Sequence, residues 1–355
     1  MNQYLQSPLA VILFLALTTF IQVSAQTPST KVNLTFEQKI PALLKETNVP
    51  AVGIAVIENG KLKYTKVFGE LKRGVPAPSN AIFQVASLTK PVVEVLTLQL
   101  VSKGLWNLDE PLARYWVDPD VKDDPRHQKL TTRHVLMHQT GFLNWRSLSK
   151  SQKLEFTFDP GAKVSYSGEG LEYLRHALEA KFKEPLDRLA QKYLFRLYGM
   201  KETHFFWDGT VDETKFAVAH SKEGKAFDIR KNSTANAADL LMTTMQDYGR
   251  FAVNVMNGKG LSKEIFSEMW RPLVTFPSGK NLFYGLGWLI MPDLSNGEDA
   301  VIHTGSDDGV KTVIVLLPQS HRGLIVFTNG ENGTEVWTKI VADAFDVGAE
   351  MLGRG

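Results

Sequence analysis

The stretch Phe83-Gln84-Val85-Ala86-Ser87-Leu88-Thr89-Lys90-Pro91-Val92-Val93 decides the reading of this chain. It runs on through Val95, Leu96, Leu98, Leu100 and Val101, apolar on nearly all sides. That pattern describes a helix buried inside a domain rather than one lying on a surface. Residues three apart share a helix face, so Ser87 Oγ and Lys90 Nζ can meet. Pro91 does not interrupt this, because the first turn of a helix needs no intrahelical N–H partner. A lysine held in such surroundings loses preference for its charged form and can accept the serine proton. Spacing alone does not establish that chemistry, since Ser-x-x-Lys arises by chance about once in a chain of this length. A second copy, Ser147-Leu148-Ser149-Lys150, lies in a polar stretch with no buried helix behind it and reads as a solvated loop or helix start.

Two further motifs carry chemistry in combination with the first. Tyr166-Ser167-Gly168 is reached through the turn Asp159-Pro160-Gly161 and precedes a helical stretch from Leu171 to Leu178, which places a phenol in a loop beside a cleft. His303-Thr304-Gly305-Ser306 ends the strand-like run Ala300-Val301-Ile302. A Thr-Gly pair on a strand edge leaves backbone open to a substrate, because glycine has no side chain to hold it off. Each motif alone is weak: most tyrosines beside helices are packing residues, and most His-Thr-Gly triplets are turns.

In this order the set resembles the penicillin-recognising serine hydrolases, in particular the branch of class C β-lactamases, D-alanyl-D-alanine peptidases and esterases. Gly104-Leu105-Trp106-Asn107-Leu108-Asp109-Glu110-Pro111-Leu112, Leu136-Met137-His138-Gln139-Thr140-Gly141-Phe142 and Tyr284-Gly285-Leu286-Gly287-Trp288 are similar to that family too. The likeness runs from about Leu34 to the last helix. It implies an acyl-enzyme on Ser87, with Lys90 and Tyr166 sharing the proton as base and later acid. It further implies an oxyanion hole from the backbone N–H groups of Ser87 and Ser306, and substrate contacts from His303, Thr304, Gly305 and the Gly168 position. Two positions depart from the family's β-lactamases, which usually have Asn where Gly168 stands and Lys where His303 stands. A largely neutral imidazole is a weaker fixed cation than an ammonium. Both departures favour an esterase- or peptidase-like activity over a true β-lactamase. Glu169, in a helix's first turn, reads as a helix-dipole partner rather than a deacylation base.

Composition bounds the alternatives. With 355 residues and 43% hydrophobic content the chain can bury a sizeable core, and its net charge of +2 without a basic, aromatic-interleaved run argues against nucleic acid. The absence of cysteine excludes disulfides, thiolate metal sites and a cysteine nucleophile. His134 and His138 have helical metal spacing but no accompanying Glu or third ligand, so no metal or cofactor is expected. No Gly-x-Ser-x-Gly elbow occurs. Residues Leu9 to Val23 form a short apolar run ending in Val23-Ser24-Ala25, which reads as an export signal over residues 1–25, cleaved before Gln26. The expected location is periplasmic or secreted, without a lasting membrane anchor, and the expected partner is a small-molecule or peptide substrate.

The expected fold is α+β, one antiparallel sheet flanked by helices with an inserted helical lobe, in a single hydrolase domain over 26–355. The sheet lobe takes about 34–80 and 280–355, the helical lobe about 87–258. Phe36 to Lys45 reads as a helix, and Ala51–Glu58 with Lys61–Phe68 as a hairpin around Asn59-Gly60. Thr244-Met245-Gln246-Asp247 reads as a capping box opening a helix through Met256. Strands are expected at Leu286–Met291, Val301–Thr304, Val313–Leu317 and Leu324–Thr328, and a closing helix at Val336–Met351. The rival to an enzyme is a non-catalytic, penicillin-binding-like sensor or binding module of the same fold. The two Ser-x-x-Lys copies give a direct check by ester turnover: Lys90→Ala is expected to abolish it and Lys150→Ala to leave it intact, and equal effects would mean that the wrong copy was chosen.

Overall fold

In the computed structural model, which describes Ser29 and residues 31–277 and 280–354, a 3-10 turn (Thr35–Lys39) leads into α1 (Ile40–Thr47). The expected export signal lies outside the described residues. The chain then forms β1 (Ala51–Glu58), β2 (Lys61–Lys72), β3 (Val75–Pro76) and β4 (Ile82–Gln84), and enters α2 (Thr89–Ser102) through a turn at Ala86–Leu88. The middle region carries α3 (Thr132–Leu136), α4 (Gly168–Phe182) and α5 (Leu186–Ala190), which continues through a π turn (Gln191–Phe195) into α6 (Arg196–Tyr198). It closes with β5 (Met242–Thr244), α7 (Met245–Met256) and α8 (Lys263–Met269). The last third supplies β6 (Val274–Thr275), β7 (Phe283–Tyr284), β8 (Leu289–Met291), β9 (Ala300–Asp307), β10 (Val310–Leu317) and β11 (Arg322–Thr328). Helices α9 (Gly333–Ala344) and α10 (Gly348–Arg354) end the described chain.

Nine strands form one antiparallel sheet in the order β3-β2-β1-β11-β10-β9-β8-β7-β6, so the two ends of the chain meet where β1 pairs β11. Asn59 and Gly60 both take positive φ, 51° and 67°, the geometry a two-residue hairpin turn needs between right-twisted strands. Strand β1 is buried on both faces. Val52, Ile54 and Val56 join α1, α9 and α10 in one core, while Ala51, Ala55 and Ile57 face a second core with α2, α4 and α7. A strand covered on both sides reads as an unbroken apolar run, which is what Ala51 to Ile57 is. The fold is α+β, with helices on both faces of the sheet and the helical residues inserted between β3 and β6.

Several expected elements differ in detail. The strand expected at Leu286–Met291 is only Leu289–Met291, because Gly287, at φ +86°, turns the chain and its N–H donates to Leu136 O. Thr244 caps α7 by accepting from Asp247 N, but the Asp247 carboxylate does not return to Thr244. It accepts instead from Glu202 N and Thr203 Oγ1, so half of the capping box is spent on the turn after α6. The helix expected from Phe36 begins as the 3-10 turn, and the one expected to run from Val336 to Met351 breaks at Phe345, whose backbone is extended. Asp346 is drawn there onto Arg322, 2.8 Å away, and Arg322 also pairs with Glu298 at 2.6 Å with both side chains out of solvent.

That pair yields a stability test. Glu298→Ala leaves the Arg322 guanidinium buried with only the half-exposed Asp346 as counter-ion, an expected loss of about 3–5 kcal/mol. Lys339→Ala, which breaks an exposed pair with Glu46, is expected to change stability by less than about 0.5 kcal/mol. Urea unfolding followed by far-UV circular dichroism measures both, and comparable losses would contradict the assignment of Arg322 as the buried pin of the α9–α10 break.

Candidate active site

Strand β4 pairs with β5 and delivers the chain to Ala86, which is held at φ +48°, a left-handed backbone that a non-glycine residue adopts only under constraint. The constraint is visible around it. Val85 N–H donates to Leu241 O, the Thr89 hydroxyl donates to Ala86 O and accepts from Leu241 N, and the Tyr248 hydroxyl donates to Leu88 O. Ser87 is thereby fixed on a tight turn at the start of α2, half-buried, with Lys90 fully buried one helical turn on. Lys90 Nζ donates to Ser87 Oγ at 3.0 Å and to Ala238 O at 2.8 Å. Burial pushes the ammonium down to about 8, against the opposing pull of Asp239, Glu94 and Glu172.

Tyr166 lies over this pair, its ring centroid 4.7 Å from Lys90 Nζ. Burial holds the phenol above its ordinary range, and the nearby Ser87 hydroxyl works against that rise. The loop carrying Tyr166 is set by groups from the 138–146 segment. Ser167 N–H donates to His138 Nδ1, which puts the ring proton of a neutral His138 on Nε2, and the His138 ring packs 4.4 Å from the Tyr166 ring. Gly168 N–H donates to Asn144 Oδ1. A Cβ at Gly168 would lie 2.7 Å from Trp145 Cη2, so Trp145 occupies the space an Asn side chain would need. Glu169 is bound by Arg146, whose Nη2 lies 2.8 Å from its carboxylate. Its first-turn position thus serves an ion pair that also takes in Asp118 and Asp120. His134, which Thr131 engages in a capping box, has nothing to do with His138.

Across the cleft, β8 pairs with β9 only at Ala300, Val301 and Ile302. His303 to Asp307 therefore have β10 on one side and no strand on the other. His303 is buried, Thr304 and Ser306 expose their side chains, and Gly305 faces the Ser87 turn. A Cβ on Gly305 would lie 2.3 Å from Thr312 Oγ1, 2.5 Å from Val85 O and 3.2 Å from Ser87 N. The strand can approach the nucleophile's backbone only because residue 305 has no side chain. Burial, with Lys90 adding to it, pushes the His303 imidazole down to about 3, so it is neutral at pH 7, and its Nδ1 faces Thr304 O at 2.9 Å. Asp239, beside Lys90, is pushed up to about 6 by burial and by Asp307. Two cavities flank the cleft: one of about 290 Å³ lined by Gln84, Trp207, Phe216, Phe227, Leu240 and Asp307, the other of about 540 Å³ bordered by Trp116, Trp145, Glu169 and Asn236.

Ser87, Lys90, Tyr166 and the His303–Ser306 segment thus come together, with Gly168 beside them under Trp145. Sequence reading missed Ala238, which holds the lysine by a carbonyl no side-chain pattern announces. It also missed Asn144 and the support that His138 gives Tyr166; the latter lies in a stretch quoted above, where histidine beside a Thr-Gly turn was its only signal. Tyr284 and Trp288 are core residues. Among the described residues no group of three or more His, Asp or Glu side chains is arranged to hold a metal, and no helix is long and apolar enough to cross a membrane.

A serine with a buried lysine at its hydroxyl, faced by a phenol and an open strand edge, is the arrangement of a serine hydrolase of α+β fold. The family model described as Beta-lactamase matches residues 36–347, and the chain belongs to that family of serine hydrolases. It is 22% identical over 323 residues to Penicillin-binding protein 4* of Bacillus subtilis (strain 168), covering 79% of this chain and 68% of that protein. With Protein flp of Staphylococcus aureus (strain MW2) it shares 21% identity over 81% of this chain, spanning 61% of that protein's length. Among solved structures, the octameric penicillin-binding protein homologue from Pyrococcus abyssi superposes with a TM-score of 0.74 at 21% identity, over 90% of this chain and 77% of that one. The D-alanine carboxypeptidase AmpC from Burkholderia cenocepacia gives 0.71 at 18% identity, over 86% and 97%. These structural likenesses concern the fold.

The approach of β9 to Ser87 generates a test. Gly305→Ala is expected to cut the rate of covalent modification of Ser87 by about 100-fold or more, the scale of a lost oxyanion donor, while the protein stays folded by circular dichroism. A folded variant labelled at the wild-type rate would show that the close approach of this strand is not needed for reaction.

Proposed function

We propose that this protein hydrolyses carboxylic esters, and amides more slowly, through an acyl-enzyme on Ser87. The observation that carries this reading is the fully buried Lys90 with its Nζ 3.0 Å from Ser87 Oγ. As Ser87 Oγ attacks the carbonyl carbon, its proton passes to Lys90 Nζ, with Tyr166 relaying it to the leaving group. The developing oxyanion is received by the backbone N–H groups of Ser87 and Ser306, one at a helix start and one on the open strand segment. The leaving group departs with the proton, and water, activated by the same pair, releases the acid.

The surroundings favour neutral esters over β-lactams. A β-lactam carries a carboxylate, and at the position where the family's β-lactamases usually have Lys this protein has a buried, neutral His303. The usual Asn is replaced by Gly168, with Trp145 against it. The flanking cavity sets the apolar walls of Trp207, Phe216 and Phe227 beside the charged Asp228, Arg230 and Asp307, room for an acyl group with both apolar and polar parts. Export through residues 1–25 belongs to the same proposal and is supported by the apolar run at Leu9–Val23.

Intact-mass analysis after exposure to a fluorophosphonate, comparing wild type with Ser87→Ala, is the decisive experiment. A single adduct confined to wild type is expected, with p-nitrophenyl ester kcat/KM exceeding that for nitrocefin by about 100-fold or more. Because Lys90 must be unprotonated to act, the rate should rise with pH to a plateau above about 8. No adduct, no ester turnover and no cleavage of D-amino-acid peptides would leave a non-catalytic binding module.

A further inference from the structure

Glu94 follows Lys90 by four residues on α2, so the two side chains share one face of that helix. Both are fully buried. A lysine ammonium has three N–H donors, and Ser87 Oγ and Ala238 O take two of those on Lys90. Neither carboxyl oxygen of Glu94 has a hydrogen-bond partner. The head of the side chain is pressed onto Gly287, where a Cβ would lie 2.3 Å from Oε2, so the turn after β7 closes it off. A buried carboxyl without a donor destabilises a fold, and the packing of α2 does not call for one, since Val93, Val95 and Leu98 around it are apolar and buried.

We propose that Glu94 is a positioning residue for the base, the third member of a buried Ser87–Lys90–Glu94 line, whose carboxylate offsets the charge Lys90 acquires on taking the Ser87 proton. In that step the Ser87 O–H bond breaks, the proton forms an N–H bond on Lys90, and the oxygen's electron pair goes to the carbonyl carbon. The positive charge then rests on Nζ, away from water, until the leaving group removes the proton. A carboxylate one helical turn away stabilises it there. The role rests on the hydrolase reading; the coupling of the two groups does not.

Burial pushes the Glu94 carboxyl well above its usual range and Lys90 pulls it back, while Glu94 in turn raises Lys90. The pair therefore titrates as a unit. The other titratable groups that feel Glu94 are neutral phenols: Tyr248 on α7, Tyr284 on β7 and Tyr166 in its loop. Lys90 is also faced by the acids Asp239 and Glu172 and by the neutral imidazoles of His138 and His303.

The test follows the lysine directly. In protein carrying ¹³C- and ¹⁵N-labelled lysine, with the Lys90 resonance assigned through Lys90→Arg, the Lys90 titration is compared between wild type and Glu94→Gln. An ionised Glu94 favours the ammonium, so its removal is expected to lower the Lys90 midpoint by about one pH unit. The acid limb of ester kcat/KM should move down with it, and kcat on the plateau should fall about tenfold with KM little changed. An unmoved midpoint would overturn the proposal. Should Glu94→Gln fail to fold, infrared spectra of wild type decide. With Lys90 still the ammonium at pH 7, an ionised Glu94 gives no protonated-carboxyl band there, and a buried carboxyl band present at that pH sinks the idea. The lysine titration needs no turnover, so an inert Ser87 would remove the hydrolase reading without obscuring the coupling.

Discussion

An ammonium without water is the constraint around which this protein is arranged. Lys90 is fully buried, its ammonium touching a hydroxyl, a carbonyl and a phenol ring, with the acids Asp239, Glu94 and Glu172 acting on it from further off. Removing an ion from water costs several kcal/mol even after relaxation, and the surroundings keep that cost in being. Helix α2 is apolar on nearly all its faces and carries the lysine into the core between the sheet and the helical insertion. The loop before β5 is tied to the same turn twice, by Ala238 O to Lys90 and by Leu241 N to Thr89, and cannot drift away from it. Loosening that loop would admit water and return the lysine toward its ordinary pKa.

The second constraint is the distance between the lobes. The Ser87 turn belongs to the helical side and His303–Asp307 to the sheet, so the site exists only where the two touch. Two features of β9 permit the contact. Its neighbour β8 stops at Leu289, opposite Ile302, which bares the next five residues, and Gly305 lets the bared backbone come against Val85 and Ser87. Shortening β8 was itself a consequence of the turn at Gly287, whose N–H is claimed by Leu136. One glycine at φ +86° thus both ends pairing on β9 and presses against Glu94 beneath the lysine.

What was legible in the sequence was what local chemistry decides. Ser87 and Lys90 are one turn apart on a helix whose burial its own composition announces, and Asn59-Gly60 dictates a hairpin without help from the rest of the chain. The Ser147–Lys150 copy could be set aside because its neighbours are polar, and Lys150 is exposed. What stayed hidden depends on contacts across long stretches of chain. Ala238 meets Lys90 through a backbone oxygen 148 residues away, and backbone oxygens are alike in every residue. The Asp247 carboxylate was diverted from its cap by Glu202 and Thr203, and the closing helix was broken by an ion pair to Arg322, neither of which periodicity encodes.

The two departures from the family pattern have separate physical consequences. At Gly168 the missing side chain is compensated, because Trp145 fills the space and Asn144 takes the Gly168 N–H, so the tyrosine loop keeps its shape. Lys90 also keeps two acceptors, Ala238 O supplying what a side-chain amide would have given. At His303 there is no such replacement. A buried imidazole next to a buried ammonium cannot hold a second proton near neutral pH, since burial and Lys90 both push it down. His303 therefore adds no cation beside Lys90, and Lys90 is engaged with the nucleophile. A substrate anion would compete with Ser87 for Lys90 and would bring Asp239 and Asp307 close to a like charge. The substitution at 303 thus removes a fixed charge from beside the nucleophile, while the one at 168 is absorbed by packing.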